Sequence, residues 1–374
     1  MRKKLLLIPL ALLLAISLIA IGCPATPVEE PATPTEPTTP TPPEVIELNF
    51  STMFPGTHLY GIINQKFCDV IKERTNGRVE ITLFPGGSLT SAPKCYEGVV
   101  QGLSDIGMSC PLYVAGRFPA SELFELPQDV PNAWVSDHVY DDFYRHFQLK
   151  EYDDVHVLYL HGPGYAVLQS NKRVSKPEDL EGMIIRSSGT SAEVIKAWGG
   201  TPQALPMGEA YESLSKGVVD ANFAYLETLI GWKHGDVVKY VTKFPVGCSS
   251  CQFVAMNKDK WNSLPEDIKE IFTETSEEFL EYQARAWVYM DKIGLEYFLS
   301  LGEGREYIEI PVEEKAVWCE AVQPLLDKYV ADKTAMGLPV ADYLKYIEER
   351  TKYWAERQPT EEECVETVET ELLK

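Results

Sequence analysis

An arginine followed by a small polar loop gives this sequence its clearest chemistry. Residues 183–194 read MIIRSSGTSAEV, in which Arg186 ends a predicted strand and the serine-rich loop after it opens a predicted helix. A guanidinium holds a carboxylate through two parallel hydrogen bonds, and the free N–H groups at the start of a helix also favour anions. The segment therefore predicts an anion site that includes Arg186 and Ser188. The alternative is a surface arginine beside an ordinary helix cap, and position alone leaves the two equal.

Aromatic and imidazole side chains near predicted loops are further candidates for contact with a ligand. They are Phe54, His58, Tyr165, Phe223, Tyr225 and Trp232. Each ring taken alone also fits a place in the hydrophobic core, because aromatic side chains bury large apolar surfaces.

Motifs of catalysis and metal binding are missing from the sequence. It has no G-x-S-x-G nucleophile motif, no G-x-x-x-x-G-K-[ST] phosphate loop and no zinc-protease helix motif. The carboxylate pairs Asp141-Asp142 and Asp153-Asp154 are expected in so acidic a chain, and we interpret them as solvated. We predict no catalytic residue, no cofactor and no metal site, and a protein that is not an enzyme.

The eight cysteines do not form an obvious pairing pattern. One of them, Cys23, has a separate interpretation given below, and the other seven are an odd number. Cys248 and Cys251 have the spacing of a redox or half metal site, but they stand in a strand-like run that disfavours so short a ring. Structural, unpaired cysteines are the favoured interpretation.

The first 44 residues predict export and attachment to a membrane. Three cations precede an almost wholly apolar run at residues 5–21, which is the pattern of a secretory signal. The run ends in Ala20-Ile21-Gly22-Cys23, which resembles the bacterial lipobox, in which the cysteine is acylated and becomes the new N-terminus. We predict a signal peptide at 1–22, lipidation of Cys23, and a disordered Pro/Thr tether to residue 44. The alternative is an uncleaved transmembrane anchor; both place the remaining chain outside the cytoplasm.

Charge and length narrow the possible partners and the architecture. The net charge is −22, and removal of the three leader cations brings it to −25. Such a charge argues against nucleic acid as a partner, since the phosphate backbone is also negative. The folded portion exceeds the usual size of a single core, so two lobes are expected.

Strand-like and helix-like segments alternate after the tether. Residues 45–108 read as β-α-β-α-β, which predicts a parallel sheet with its loops facing one crevice. Residues 265–301 read as one or two long helices, about 55 Å if unbroken. We predict an α/β fold with lobe 1 at 45–164, completed by part of 250–300, and lobe 2 at 165–249, completed by part of 300–358. Residues up to 358 look helical, and 359–374 read as a loose acidic tail.

Several segments follow one another from about residue 48 to about 275, including STMFPGTH, TNGRVEITLFPGGSL, GVVQGLSDIGMS, NKRVSKPEDLEGMIIRSSGTSAEV and VAMNKDKWNSLPEDIKEIF. In this order they resemble the DctP-type substrate-binding proteins of TRAP (tripartite ATP-independent periplasmic) transporters. The resemblance implies a two-lobed periplasmic-binding-protein-like fold, with a ligand crevice between the lobes and a long helix crossing both. It also implies a monomer that binds a small organic acid and works with TRAP permease subunits in the membrane.

Carried over residue by residue, the resemblance makes Arg186 the clamp for the substrate carboxylate and Asn222 a polar contact. Phe223 stands where many relatives have glutamate, Tyr225 also departs from the family pattern, and Ala166 aligns with a second family arginine. These departures imply a pocket with a single anion-binding group and otherwise apolar walls. The implied ligand is a monocarboxylate with an apolar or aromatic body. A sensory lipoprotein of the same fold is the alternative function, and an extracytoplasmic hydrolase is a more distant one.

Overall fold

The computed structural model describes residues 45–128 and 130–374. The predicted signal peptide, Cys23 and the tether lie outside the described residues. Within these ranges, no helix combines the length and apolar character needed to cross a membrane.

The first lobe is built on a five-stranded sheet in the order β2-β1-β3-β10-β4. It begins with β1 (Ile46–Thr52), α1 (Leu59–Arg74), β2 (Val79–Phe84), α2 (Cys95–Val100) and β3 (Ile106–Ser109), followed by α3 (Ala133–Phe147) and β4 (Val155–His161). Strand β1 pairs in parallel with both β2 and β3, which confirms the predicted β-α-β-α-β opening. Helix α1 ends just before Asn76 and Gly77, which take positive φ angles.

The second lobe is built on a six-stranded sheet in the order β11-β9-β5-β8-β6-β7. Its elements are β5 (Val167–Ser170), β6 (Ile184–Arg186), α4 (Thr190–Ala197), β7 (Thr201–Gln203), α5 (Met207–Ser215), β8 (Ala221–Ala224), α6 (Thr228–Gly231), β9 (Tyr240–Lys243) and β11 (Glu306–Glu309). Strands β7, β6 and β8 run parallel, so their carboxyl ends meet at one edge. Strand β11 lies in a region that the sequence predicted to be helical, and that prediction was wrong there.

The chain crosses between the lobes more than once. After β9 it returns to the first sheet as β10 (Gln252–Asn257), which runs antiparallel between β3 and β4. After α7 (Lys258–Ser263), helix α8 (Glu266–Ser300) spans 35 residues, or about 52 Å. Phe272 and Phe279 of α8 pack in the first lobe's core, whereas Phe298 packs beside Val167 and Val241 of the second. The prediction of a long helix crossing both lobes is confirmed.

The C-terminal segment is ordered helix packed on the first lobe, instead of the loose tail that the sequence predicted. It follows α9 (Lys315–Ala335) and α10 (Val340–Ala355), and consists of α11 (Glu361–Thr367) and a π-helical turn at Val368–Leu372. Thr360 and Glu363 form a reciprocal capping box at its start. Cys364, Val368 and Leu372 are buried at helical spacing, a pattern masked in the sequence by the glutamates between them.

The cysteines of the described chain carry free thiols, including Cys248 and Cys251. Most of them are buried, and burial raises the pKa of the Cys95 thiol to about 12. These side chains therefore behave as small apolar groups.

Replacing Leu372 with alanine should lower the free energy of unfolding by about 2 kcal/mol or more, because the side chain is 4% exposed and its removal leaves a cavity. The matched control is Leu373→Ala, since that neighbouring leucine is 47% exposed and should change stability by less than about 0.5 kcal/mol. Urea denaturation of both variants gives the comparison. Equal, small effects would mean that the terminal segment is not part of the folded core.

Candidate functional site

A cavity of about 30 Å³ lies between the lobes, where the carboxyl ends of the parallel strands meet. The first-sheet side contributes Met53, Phe54, Cys110, Tyr113, Ser250 and Gln252. The second lobe contributes Ala166, Arg186, Ser188, Phe223, Tyr225 and Trp232, together with Glu227. One water needs roughly 10–15 Å³ on this measure, so the closed cavity has room for about two water molecules. A larger ligand therefore requires the lobes to stand further apart than they do in this structure, both to enter and to be held.

Arg186 is the last residue of β6 and is only 4% exposed. Its Nε donates to Leu205 O at 2.9 Å and its Nη2 to Tyr113 Oη at 3.5 Å. Both acceptors are uncharged, so these contacts orient the guanidinium without neutralising it. A buried charge without an ionic partner is costly, and an anion in the cavity would relieve that cost.

The N-terminus of α4 is already occupied by a carboxyl group of the protein itself. Thr190 N donates to Glu125 Oε2, which reaches across from the first lobe. Gly189, at φ 62°, makes this approach possible, because a Cβ there would lie 2.2 Å from Glu125 Oε2. Burial raises the pKa of Glu125 to about 8. In this closed arrangement, the predicted anion-accepting helix end serves as a contact between the lobes.

Five of the predicted ligand contacts line the cavity: Phe54, Arg186, Ser188, Phe223 and Tyr225. Trp232, the remaining aromatic candidate of the sequence, lines it as well. The structure thus brings together side chains that are up to 178 positions apart in the chain, Phe54 and Trp232 being the extremes.

The other three predicted contacts lie outside the cavity wall. Asn222 pairs with Arg186 across the sheet, and it hydrogen-bonds Gln169 and His234 in a fully buried position. The Tyr165 hydroxyl donates to Gln128 O at 2.8 Å. His58 acts from behind the wall, since its Nε2 lies 3.0 Å from Glu227 Oε2.

Glu227, Tyr113 and Gln252 are cavity residues that the sequence analysis missed. Glu227 follows the end of β8 by three residues, the same kind of position that drew attention to Arg186. Gln252 begins β10, whose antiparallel direction brings the start of the strand to the crevice. Tyr113 lies in a short 3-10 turn, for which the sequence carried no signal.

Three buried polar atoms on cavity residues have no hydrogen-bond partner in the described chain: Ser187 Oγ, Trp232 Nε1 and Gln252 Oε1. Buried polar atoms are normally paired, because an unpaired one costs about 1–3 kcal/mol. Their grouping around one cavity is what a site completed by a polar ligand requires.

Polar contacts join the two sides of the crevice. His58 meets Glu227 at 3.0 Å, Tyr113 Oη accepts from Met207 N at 3.2 Å, and Tyr225 Oη donates to Ser250 Oγ at 2.8 Å. Together with the contact between Glu125 and Thr190, they hold the lobes closed over the cavity.

The sequence profile of the DctP family, described as bacterial extracellular solute-binding protein, family 7, matches residues 50–333. The chain belongs to this family. Its members are solute-binding proteins of TRAP transporters that bind small organic acids, and they are not enzymes.

Two relatives and one solved structure illustrate the similarity. The 2,3-diketo-L-gulonate-binding periplasmic protein of Escherichia coli is 27% identical over 60% of this chain and 70% of the relative. The C4-dicarboxylate-binding periplasmic protein of Rhodobacter capsulatus is 25% identical over 70% of this chain and 80% of the relative. A TRAP periplasmic solute-binding protein of Bordetella bronchiseptica with bound mandelate is 25% identical, has a TM-score of 0.76, and covers 83% of this chain and 99% of its own.

The raised pKa of Glu125 predicts a pH-dependent stability. The folded protein keeps this proton up to about pH 8, whereas the unfolded chain releases it near 4.5, so the contribution is complete below 4.5 and is lost as pH rises through 8. Glu125→Gln should therefore show a smaller fall in Tm between pH 5 and pH 8 than the native protein, measured by calorimetry. Glu193→Gln, on the exposed first turn of α4, is the control and should keep the native slope. Equal slopes in all three proteins would contradict burial of this carboxyl group.

Proposed function

We propose that this protein captures a small monocarboxylate with an apolar or aromatic body and delivers it to a TRAP permease. The observation that carries the proposal is the buried guanidinium of Arg186, which faces the cavity without an ionic partner among its hydrogen bonds. A carboxylate there gains two charge-assisted hydrogen bonds and relieves the cost of the buried charge.

The walls around Arg186 support an acid with a single carboxylate. Among the described cavity residues, Arg186 is accompanied by neither lysine nor a second arginine, and Ala166 stands where relatives often have one. Rings of Phe54, Phe223 and Trp232 supply apolar surface for the body of the acid. The relative with bound mandelate shows that this fold can hold an aromatic monocarboxylate.

Lobe closure is the proposed mechanism of capture. The ligand enters while the contacts of His58 with Glu227 and of Tyr113 with Met207 are open, and Arg186 orients its carboxylate. Ser187 Oγ and Trp232 Nε1 are hydrogen-bond donors in the same wall. Because the ligand touches both lobes, it stabilises the closed form that the permease receives.

The same proposal places the protein outside the cytoplasm. Residues 1–22 direct export, Cys23 becomes the lipidated N-terminus, and residues 24–44 form a tether that lets the folded part reach the permease. We further propose that the protein acts as a monomer and releases its ligand unchanged. The sensory alternative shares the capture step and differs only in its membrane partner.

Replacing Arg186 with alanine should weaken the binding of organic acids by about 2–5 kcal/mol, or roughly 30- to several-thousand-fold, because the ligand carboxylate loses its charge-assisted hydrogen bonds. Calorimetric titration of ligand-free protein, refolded from denaturant, gives the dissociation constants. Arg173→Ala is the control, since that exposed arginine pairs with Glu306 at the surface of the same lobe. An unchanged dissociation constant in Arg186→Ala would exclude this arginine as the clamp.

Mass spectrometry of the protein from membranes should find Cys23 as an acylated N-terminus, with residues 1–22 removed. The substitution Cys23→Ser should abolish acylation and partition into detergent, because the hydroxyl does not replace the thiol as the acyl acceptor in this processing. Cys319→Ser should remain acylated at Cys23 and serves as the control. A native protein that retains its intact leader would instead support the uncleaved transmembrane anchor.

A further inference from the structure

Glu227 places a second charged group in the wall of the cavity. It follows β8, is 2% exposed, and lines the same space as Arg186. Its Oε2 lies 3.0 Å from His58 Nε2. Gly231 makes room for this pair, because a Cβ there would lie 2.2 Å from His58 Nε2 and 2.9 Å from Glu227 Oε2.

His58 orients Glu227 without neutralising it. The backbone N–H of Tyr60 donates to His58 Nδ1 at 3.2 Å, so this nitrogen carries a lone pair and not a hydrogen. The single ring hydrogen is then on Nε2, where it is donated to Glu227. An imidazole in this tautomer is an uncharged donor, so it orients the carboxyl group of Glu227 and supplies no positive charge to it.

Two other acidic groups, Asp291 and Glu125, supply no positive charge that could balance Glu227. Asp291 Oδ1 accepts from Glu227 N at 3.1 Å, and burial together with the charge of Glu227 raises the pKa of Asp291 to about 8. Burial likewise raises the pKa of Glu125 to about 8, so both carboxyl groups favour the neutral form at pH 7. Among the described residues that line the cavity, Arg186 is thus the basic side chain and Glu227 the acidic one.

The presence of one basic and one acidic side chain in the described cavity wall restricts which ligand can bind. A plain monocarboxylate on Arg186 would leave the buried carboxyl group of Glu227 without a cationic partner, which a low-dielectric environment disfavours for the ionised form of that group. A ligand that also carries one positive charge would supply that partner.

Aromatic rings next to Glu227 favour the same kind of ligand. Trp232 and Phe54 line the cavity with their ring centroids 5.9 Å apart, and His58 lies 5.7 Å from Trp232 and 4.8 Å from Phe54. The faces of such rings attract an ammonium group, and most strongly where water is excluded.

We propose that the ligand is a zwitterion, whose carboxylate binds Arg186 and whose ammonium group binds Glu227 between the rings of Trp232 and Phe54. This inference rests on the proposed function and adds to it the second functional group of the substrate. Glu227 is then the residue that selects amino-substituted acids over plain acids.

The test compares acids that share a carbon skeleton and differ by an amino group. The pairs are hydrocinnamate with phenylalanine, butyrate with γ-aminobutyrate, and para-toluate with para-(aminomethyl)benzoate. Each is titrated calorimetrically into ligand-free native protein, Glu227→Gln, and Glu193→Gln as the control for loss of an exposed carboxylate.

In native protein and in the control, the amino member of at least one pair should bind more than tenfold tighter than its plain partner. In Glu227→Gln this preference should fall below about threefold, because the amide is neutral, and the plain acid should bind as well as before or better. A native protein that binds the plain acids as tightly as their amino partners would overturn the inference, even where Glu227→Gln fails to fold. That outcome leaves the proposed function intact, whereas equal binding to native protein and Arg186→Ala would overturn the proposed function itself.

Discussion

A guanidinium that is buried without a carboxylate of its own is the constraint on which the rest of this structure depends. Arg186 is held by a backbone carbonyl and a phenol, which fix its direction and leave its charge uncompensated. Such a group is costly in a folded protein, and the cost is tolerated where binding of an anion offsets it. The parallel strands β7, β6 and β8 of the second lobe place that charge at their carboxyl ends, and the first lobe covers it.

Polar contacts between the two lobes stabilise the closed form of the crevice. Each polar pair across it, including Tyr225 with Ser250 and Glu125 with Thr190, contributes on the order of 1 kcal/mol. Their sum is opposed by the unpaired atoms of Ser187, Trp232 and Gln252, which closure buries. A ligand that pairs these atoms would favour the closed form, because it would make these contacts only when the lobes are together.

The sequence predicted the elements better than it predicted the contacts between them. Apolar residues at helical spacing identified α1 and α8, and the strand before the serine loop identified Arg186, because these signals are local. Strand β11 was missed, since it gains its stability only by pairing with β9 from a distant part of the chain. The terminal helix was missed because the charge of residues 361–371 hid the buried row of Cys364, Val368 and Leu372.

The residues of the candidate site also divide into those predicted from local signals and those that only the fold brings together. Arg186, Ser188 and four aromatic residues were found from local signals or from the family resemblance. Glu227 and its partner His58 are 169 positions apart, and the sequence around either residue gives no indication of the other. The resemblance made Asn222 a polar contact, but its side chain hydrogen-bonds Gln169 and His234, partners that only the folded sheet reveals.

The antiparallel strand β10 has a consequence for how the molecule is made. It lies between β3 and β4, so the first sheet lacks an interior strand until residue 257 has been synthesised. The strands β5 to β9 of the second lobe precede β10 in the chain. A nascent chain therefore cannot complete the sheet of its N-terminal lobe before most of the second lobe has been synthesised, so the first lobe cannot be finished ahead of the second.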